Sequence, residues 1–258
     1  MGLFDAFKKK NCDLCGGEIG LLGNRKLEDG NCCKKCAGKL SPWFDDRRHS
    51  TVDQIREQLL YREQNEAQVQ SFLPTKVIGE NYLVYIDEKN RRFLVSETKN
   101  YLSENPDVLN FDQVLSCELE IEEDKTEMMR EVTDKEGNTK EVSYNPRRFL
   151  HQFDFEMRIR VRHPYFDEMR FRLNENTLEL ERSEARNVSM YQYATGNLHP
   201  SQDPQYKKFT AMGEEIKQLL TAAEPTTLVE EEPAAKCCPY CGAPDEGERF
   251  CPHCGAVK

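Results

Sequence analysis

The sequence predicts an α+β protein whose middle is an antiparallel, β-rich domain flanked by helices and bounded by two small cysteine-held modules. Three observations carry this. Cys-x-x-Cys pairs stand at both ends, Cys12/Cys15 with Cys33/Cys36 and Cys238/Cys241 with Cys251/Cys254. From Lys76 to Leu173 apolar residues recur every second position, the period of strands half buried in a core. Two stretches, 50–73 and Asp203 onward, return to helical spacing.

Bulk properties set the limits. The chain has 258 residues, a net charge of -10 and 38% hydrophobic residues, with a mean hydropathy of -0.78. No apolar run approaches the ~20 residues of a membrane span. The positive charges of Met1–Lys10 follow its apolar patch, the reverse of an export signal. Eleven cysteines without such a signal predict a cytoplasmic location, where paired cysteines hold metal rather than disulfides. The acidic balance disfavours nucleic acid as a partner. Residues 1–50 are the exception, with ten Lys/Arg against seven Asp/Glu.

Residues 1–10 place Leu3, Phe4 and Phe7 on one helical face before Lys8, Lys9 and Lys10. The segment is read as a frayed end or a staple on the next module, with weak membrane-surface contact as the alternative. Residues 11–45 form the first module, with Ile19, Leu21, Leu22, Leu27, Leu40, Trp43 and Phe44 as its expected core. So small a core needs metal to fold. Two facing Cys-x-x-Cys turns bring four thiolates around one ion. The expected ligands are Cys12, Cys15, Cys33 and Cys36, with Cys32 as a rival to Cys33.

Residues 50–73 are a helix with Ser50 and Asp53 as its expected capping box. Val52, Ile55, Leu59 and Val69 face in. Arg56, Glu57, Arg62, Glu63 and Glu66 face out, and Pro74 stops the helix. Residues 75–223 are the β-rich domain. Tyr82–Asp87 and Arg92–Ser96 make a hairpin around Glu88-Lys89-Asn90-Arg91. Val108–Glu122 is a strand with Leu115, Cys117, Leu119 and Ile121 inward, and Asp134–Thr139 is a polar turn. In Phe149–Arg162, Phe149, His151, Phe153, Phe155, Met157, Ile159 and Val161 face in. His163-Pro164 breaks this strand. Glu168–Leu173 pairs back, and Asn174–Glu184 adds one more. Asp203-Pro204 caps a final helix carrying Tyr206, Phe209, Met212, Ile216, Leu219 and Ala223. Strands closed by one amphipathic helix follow the order of a pleckstrin-homology-like domain, a topological analogy. Residues 224–236, with three consecutive glutamates and two prolines, read as a flexible linker, and 237–258 as the second metal module.

The terminal Cys-Pro-Tyr-Cys-Gly and Cys-Pro-His-Cys-Gly resembles bacterial zinc-ribbon tails. Cys-Asp-Leu-Cys-Gly-Gly-Glu-Ile-Gly, continuing to Cys-Cys-Lys-Lys-Cys and Trp43, resembles a bacterial family catalogued only as a domain of unknown function. That resemblance extends to Tyr61-Arg62-Glu63-Gln64-Asn65 and Asn145–Leu173. It implies a bacterial cytoplasmic zinc protein and brings no activity with it.

The cofactor expected is therefore Zn2+, two per chain and structural. Iron uses the same knuckles, and redox pairs lack a thioredoxin-like frame. All-cysteine coordination leaves no open position for catalysis. His49, His151, His163, His199 and His253 belong to no nucleophilic set, and no phosphate loop or dinucleotide fingerprint occurs. Arg158, Arg160, Arg162, Arg170 and Arg172 form an outer stripe. It is a possible anion or partner site, or a row of cross-strand pairs with Glu118, Glu120 and Glu122. The function expected is a non-enzymatic adaptor for a protein partner. The alternatives are a nucleic-acid contact through Lys8, Lys9, Lys10, Arg25, Lys26, Lys34 and Lys35, or a membrane-surface protein.

Overall fold

The computed structural model describes residues 10–183 and 199–222. The chain divides into two units, 1–221 and 222–258. Of the second only Ala222 is described, so the linker and the C-terminal cysteines lie outside the described residues. So does Met1–Lys10, save its last residue.

The first unit begins with two small ladders. β1 (Lys10–Asn11) pairs with β2 (Glu18–Ile19), and β3 (Asn24–Lys26) with β4 (Asn31–Cys33), before a single helical turn, α1 (Lys34–Ala37). Ile19, Leu27 and Leu40 are buried here beside Cys12, Cys32 and Cys36, and Ile55 of the next helix closes the cluster. Leu21 and Leu22 correct the expectation, because both are exposed. They occupy the middle of a tight turn closed by Gly23 N–H donating to the Gly20 carbonyl at 2.9 Å, and the centre of such a turn points away from its own hydrogen bond. Trp43 also leaves the module core. It lies 6.1 Å from both Tyr82 and Phe171, ring centre to ring centre, in the main core.

The first long helix, α2 (Val52–Gln70), is capped one residue later than expected. Thr51 and Gln54 form the capping box, because Ser50 spends its hydroxyl on the Asp46 carbonyl at 2.9 Å. Asp29 adds a carboxylate acceptor for Val52 N–H at 2.8 Å, tying the module to the helix start. Ile55 and Val69 are buried as expected, yet so are Gln58, Arg62 and Asn65. Arg62 therefore corrects the expectation of an outward-facing charge.

Two antiparallel sheets follow. The first runs in the order β5 (Lys76–Ile78), β6 (Leu83–Asp87), β7 (Arg92–Ser96), β8 (Leu109–Asn110). Every residue of β6 is buried because both faces are covered. Val84 and Ile86 enter the main core, while Leu83 and Tyr85 meet Val69 and Phe72 at the end of α2. Asn105, at φ 50°, turns the chain between β7 and β8.

The second sheet is built on a long hairpin, β9 (Val114–Thr133) and β10 (Thr139–Val161). β11 (Glu168–Arg172) and β12 (Leu178–Ser183) share the other edge of β10. The inward row from His151 to Val161 is buried as its alternation predicted, and so are Met169, Phe171 and Leu173. Leu115 is corrected: it is 60% exposed. The register slips between Arg160 and Val161, so Ser116 and Val114 face consecutive partners and Leu115 is the extra residue. A bulge of this kind turns its spare side chain off the face. The two strands also run about ten residues further than expected, with 123–133 of β9 paired against 139–153 of β10. Most side chains of the two extensions, 123–133 and 139–148, are exposed, so no buried face imposes an alternation to read.

The last helix, α3 (Pro204–Thr221), is capped by Asp203, whose carboxylate accepts from Gln205 and Tyr206 N–H at 2.8 and 3.0 Å. Phe209, Ile216 and Leu220 join the core shared by both sheets. Lys208 pairs with Glu80, and Glu215 with Lys76.

Candidate metal centre

Residues of three elements bring the N-terminal cysteines together. The first turn carries Cys12 and Cys15. Gly16 N–H donates to the Cys12 carbonyl at 2.8 Å, and Gly16 then takes φ 72°, where a side chain would be strained. Asp13 pins this turn to the second knuckle. Its N–H donates to the Asn31 carbonyl at 2.9 Å, and its carboxylate accepts from Asn31 N–H at 2.6 Å. Cys33 ends β4 and is the N-cap of α1, which carries Cys36.

The sulfurs of Cys12, Cys15, Cys33 and Cys36 all lie within 4.8 Å of one another. A tetrahedral zinc with arms of about 2.3 Å has sulfur–sulfur edges of about 3.8 Å. Cys15 Sγ and Cys33 Sγ stand 3.8 Å apart. The donor set therefore fits one zinc ion. Backbone N–H groups also point at the sulfurs, Cys33 N to Cys12 Sγ at 3.3 Å and Cys36 N to Cys33 Sγ at 3.4 Å. Burial pushes the Cys12 thiol up, but the N–H groups of Cys33, Cys15 and Leu14 outweigh it and bring it from 9.0 to about 6. Burial and the neighbouring sulfurs push Cys36 up instead. A bound dication would favour the thiolate form of all four sulfurs, so metal binding here would release protons.

Cys32 is not in the cluster. Strand alternation sends its side chain to the opposite side of β4, where it is fully buried and its thiol donates to the Cys33 carbonyl at 3.3 Å. Burial first, then the Cys12 and Cys33 charges, push it up to about 12. Cys117 is likewise a buried thiol, raised to about 12 chiefly by burial. The four C-terminal cysteines, Cys238, Cys241, Cys251 and Cys254, and His253 lie outside the described residues.

Residues 10–58 match a family model described as a domain of unknown function, DUF4428. The match covers the four cysteines and the first turns of α2, and stops before the sheets. No curated protein matches the chain. No solved structure matches it.

The arginine stripe is on the outer face, and carboxylates occupy most of it. Arg158 reaches Glu168 at 2.7 Å and Glu120 at 3.1 Å. Arg170 reaches Glu156 at 2.6 Å and Glu122 at 3.1 Å. Arg172 pairs with Asp154, and Arg160 stands 3.9 Å from Glu168. Among the described residues Arg162 makes no ion pair. The histidines are engaged separately: His49 with Asp46, His151 with Glu123 and His163 with the Tyr61 hydroxyl, at 2.6, 2.6 and 2.9 Å.

Sequence reasoning missed a buried polar clasp behind the metal module. Arg62 is 4% exposed and Asp107 1%. They bond at 2.5 Å, and Arg62 also donates to the Lys39 and Asn105 carbonyls. Ser41 donates to the second Asp107 oxygen at 2.7 Å. Asn65 donates to the Pro106 carbonyl at 2.8 Å and accepts from Val108 N–H at 3.1 Å. Module, helix and first sheet meet here. Lone charges 45 positions apart carry no local signal of pairing.

Proposed function

We propose that the chain is a non-enzymatic, zinc-binding adaptor of the cytoplasm, contacting a protein partner through its metal modules and a pleckstrin-homology-like domain. The observation that carries this is the closed set of four thiolates, which has the spacing of a structural zinc site and leaves no ligand position open for chemistry. Two antiparallel sheets around one core, with α3 packed against them, support the pleckstrin-homology-like reading. The spacing of Cys238, Cys241, Cys251 and Cys254 supports a second zinc. Because carboxylates already engage most of the arginine stripe, that stripe serves the sheet in this reading rather than a free anion.

Native mass spectrometry with elemental analysis tests the proposal on full-length protein. The expected result is two zinc ions per chain and a co-purifying protein mass. Cys33→Ser should remove one equivalent, while Cys32→Ser should remove none and only loosen packing. Two ions retained in Cys33→Ser, or metal lost in Cys32→Ser, would overturn the ligand assignment. A purified chain turning over a substrate would overturn the adaptor reading.

A further inference from the structure

Leu21 and Leu22 are 81% and 89% exposed, the most exposed of the large apolar side chains described. They stand side by side on the Gly20–Gly23 turn between β2 and β3. The ladder registers show what surrounds that tip. Lys10 pairs opposite Ile19, two positions from Leu21. Arg25 donates to the Leu22 carbonyl at 3.3 Å. Asn24, which leaves the turn, pairs with Cys33, and Lys34 and Lys35 follow directly. Lys10, Lys34 and Lys35 are exposed.

Most of the module's carboxylates gather at its other end, against α2. Asp29 caps Val52, Glu28 N–H donates to the Ser50 carbonyl, and the Asp13 carbonyl receives Arg56. Glu18, opposite Asn11, is the one carboxylate on the ladder beside the tip. The tip therefore sets paired leucines among cations with a single carboxylate nearby, whereas the other end mixes Lys26, Arg47 and Arg56 with Asp13, Glu28 and Asp29.

We propose that this tip is a docking surface for an anionic lipid bilayer. Leu21 and Leu22 would enter the boundary between headgroups and acyl chains, and Lys10, Arg25, Lys34 and Lys35 would meet lipid phosphates. Aliphatic side chains protruding from a convex turn need no pocket in their partner, and a fluid bilayer offers none. Basic residues beside them gain from the negative surface potential of anionic lipid. The clefts beside Trp43 and Arg62 do not include either leucine. A single-stranded nucleic acid would call for aromatic stacking that this tip lacks.

Co-sedimentation of the zinc-loaded full chain with vesicles tests this. Vesicles of phosphatidylcholine alone are compared with an equal mixture of phosphatidylcholine and phosphatidylglycerol. Binding should favour the anionic vesicles and weaken with salt. Leu21→Ser with Leu22→Ser should lower binding by about tenfold or more, given what burial of a leucine contributes. Lys34→Gln with Lys35→Gln should weaken binding and flatten its salt dependence. Both double variants should keep wild-type zinc content and melting temperature. Failure to bind anionic vesicles, or equal binding by the leucine variant, would overturn the proposal. A melting temperature lowered in the leucine variant would show the tip to be covered by the chain itself, and would overturn it equally.

Discussion

Without the Arg62 guanidinium, the Asp107 carboxylate would stay buried with only the Ser41 hydroxyl to hold it. Breaking a buried pair on one side leaves an uncompensated charge and typically costs about 3–5 kcal/mol. Arg62→Met should therefore lower unfolding free energy by that order in urea titration. Arg62→Met combined with Asp107→Leu should recover part of the loss. Asp87 has a different signature. Burial pushes its carboxyl up, but bonds from the Asn90 amide and N–H and from Arg92 outweigh this and hold it below the usual range. A depressed folded value means the stabilisation is complete above the unfolded pKa of about 3.9 and is lost as pH falls through the lower folded value. The stability gap between wild type and Asp87→Asn should be full at neutral pH and shrink only in strong acid; a gap unchanged there would refute the assignment. Three of the residues the sequence misassigned share one kind of cause. Arg62, Leu21 and Leu115 each follow local rules of charge or period, and each is overridden by a partner far along the chain, a turn or a bulge.

Elements were more legible than residues. Alternation from His151 to Val161 reports one buried face directly, and the Asp203-Pro204 start of α3 is written in two residues. The outer half of the β9–β10 ribbon was not legible, since a strand exposed on both faces carries no apolar period. The seat of α3 depends on Gly213. A Cβ there would stand 2.7 Å from Leu119 Cδ1 on β9. The gain in helix propensity from replacing glycine is at most about 1 kcal/mol, whereas overpacking costs about 1–3 kcal/mol. Gly213→Val, with two further methyl groups at that contact, should lower the melting temperature; a rise would mean that the helix lifts without cost.

At the scale of the whole described unit, the metal module and the sheets keep separate cores, one around Leu27 and Ile55 and one around Phe155 and Met157. Chelation should therefore act locally. Hydrogen exchange after zinc removal is expected to rise through residues 10–50, while β10 and α3 keep their protection. Uniform loss of protection would show that the module holds the entire unit together. The four cysteines of this module were legible because metal geometry restricts their spacing, and the clasp that seats the module was not.

The long outer edge of β9 has a consequence for how copies of the chain behave in concentrated solution. Among the described residues β9 pairs only with β10, so a row of backbone donors and acceptors faces outward from Val114 to Thr133. Such an edge is a template on which another strand can grow. Here it carries Glu118 and Asp124, which make no ion pair among the described residues, beside Glu120, Glu122 and Glu123, which Arg158, Arg170 and His151 engage. A second β9 laid alongside would set carboxylates against carboxylates. The acidity of the chain thus acts here as a guard, repelling the self-association that an open edge invites.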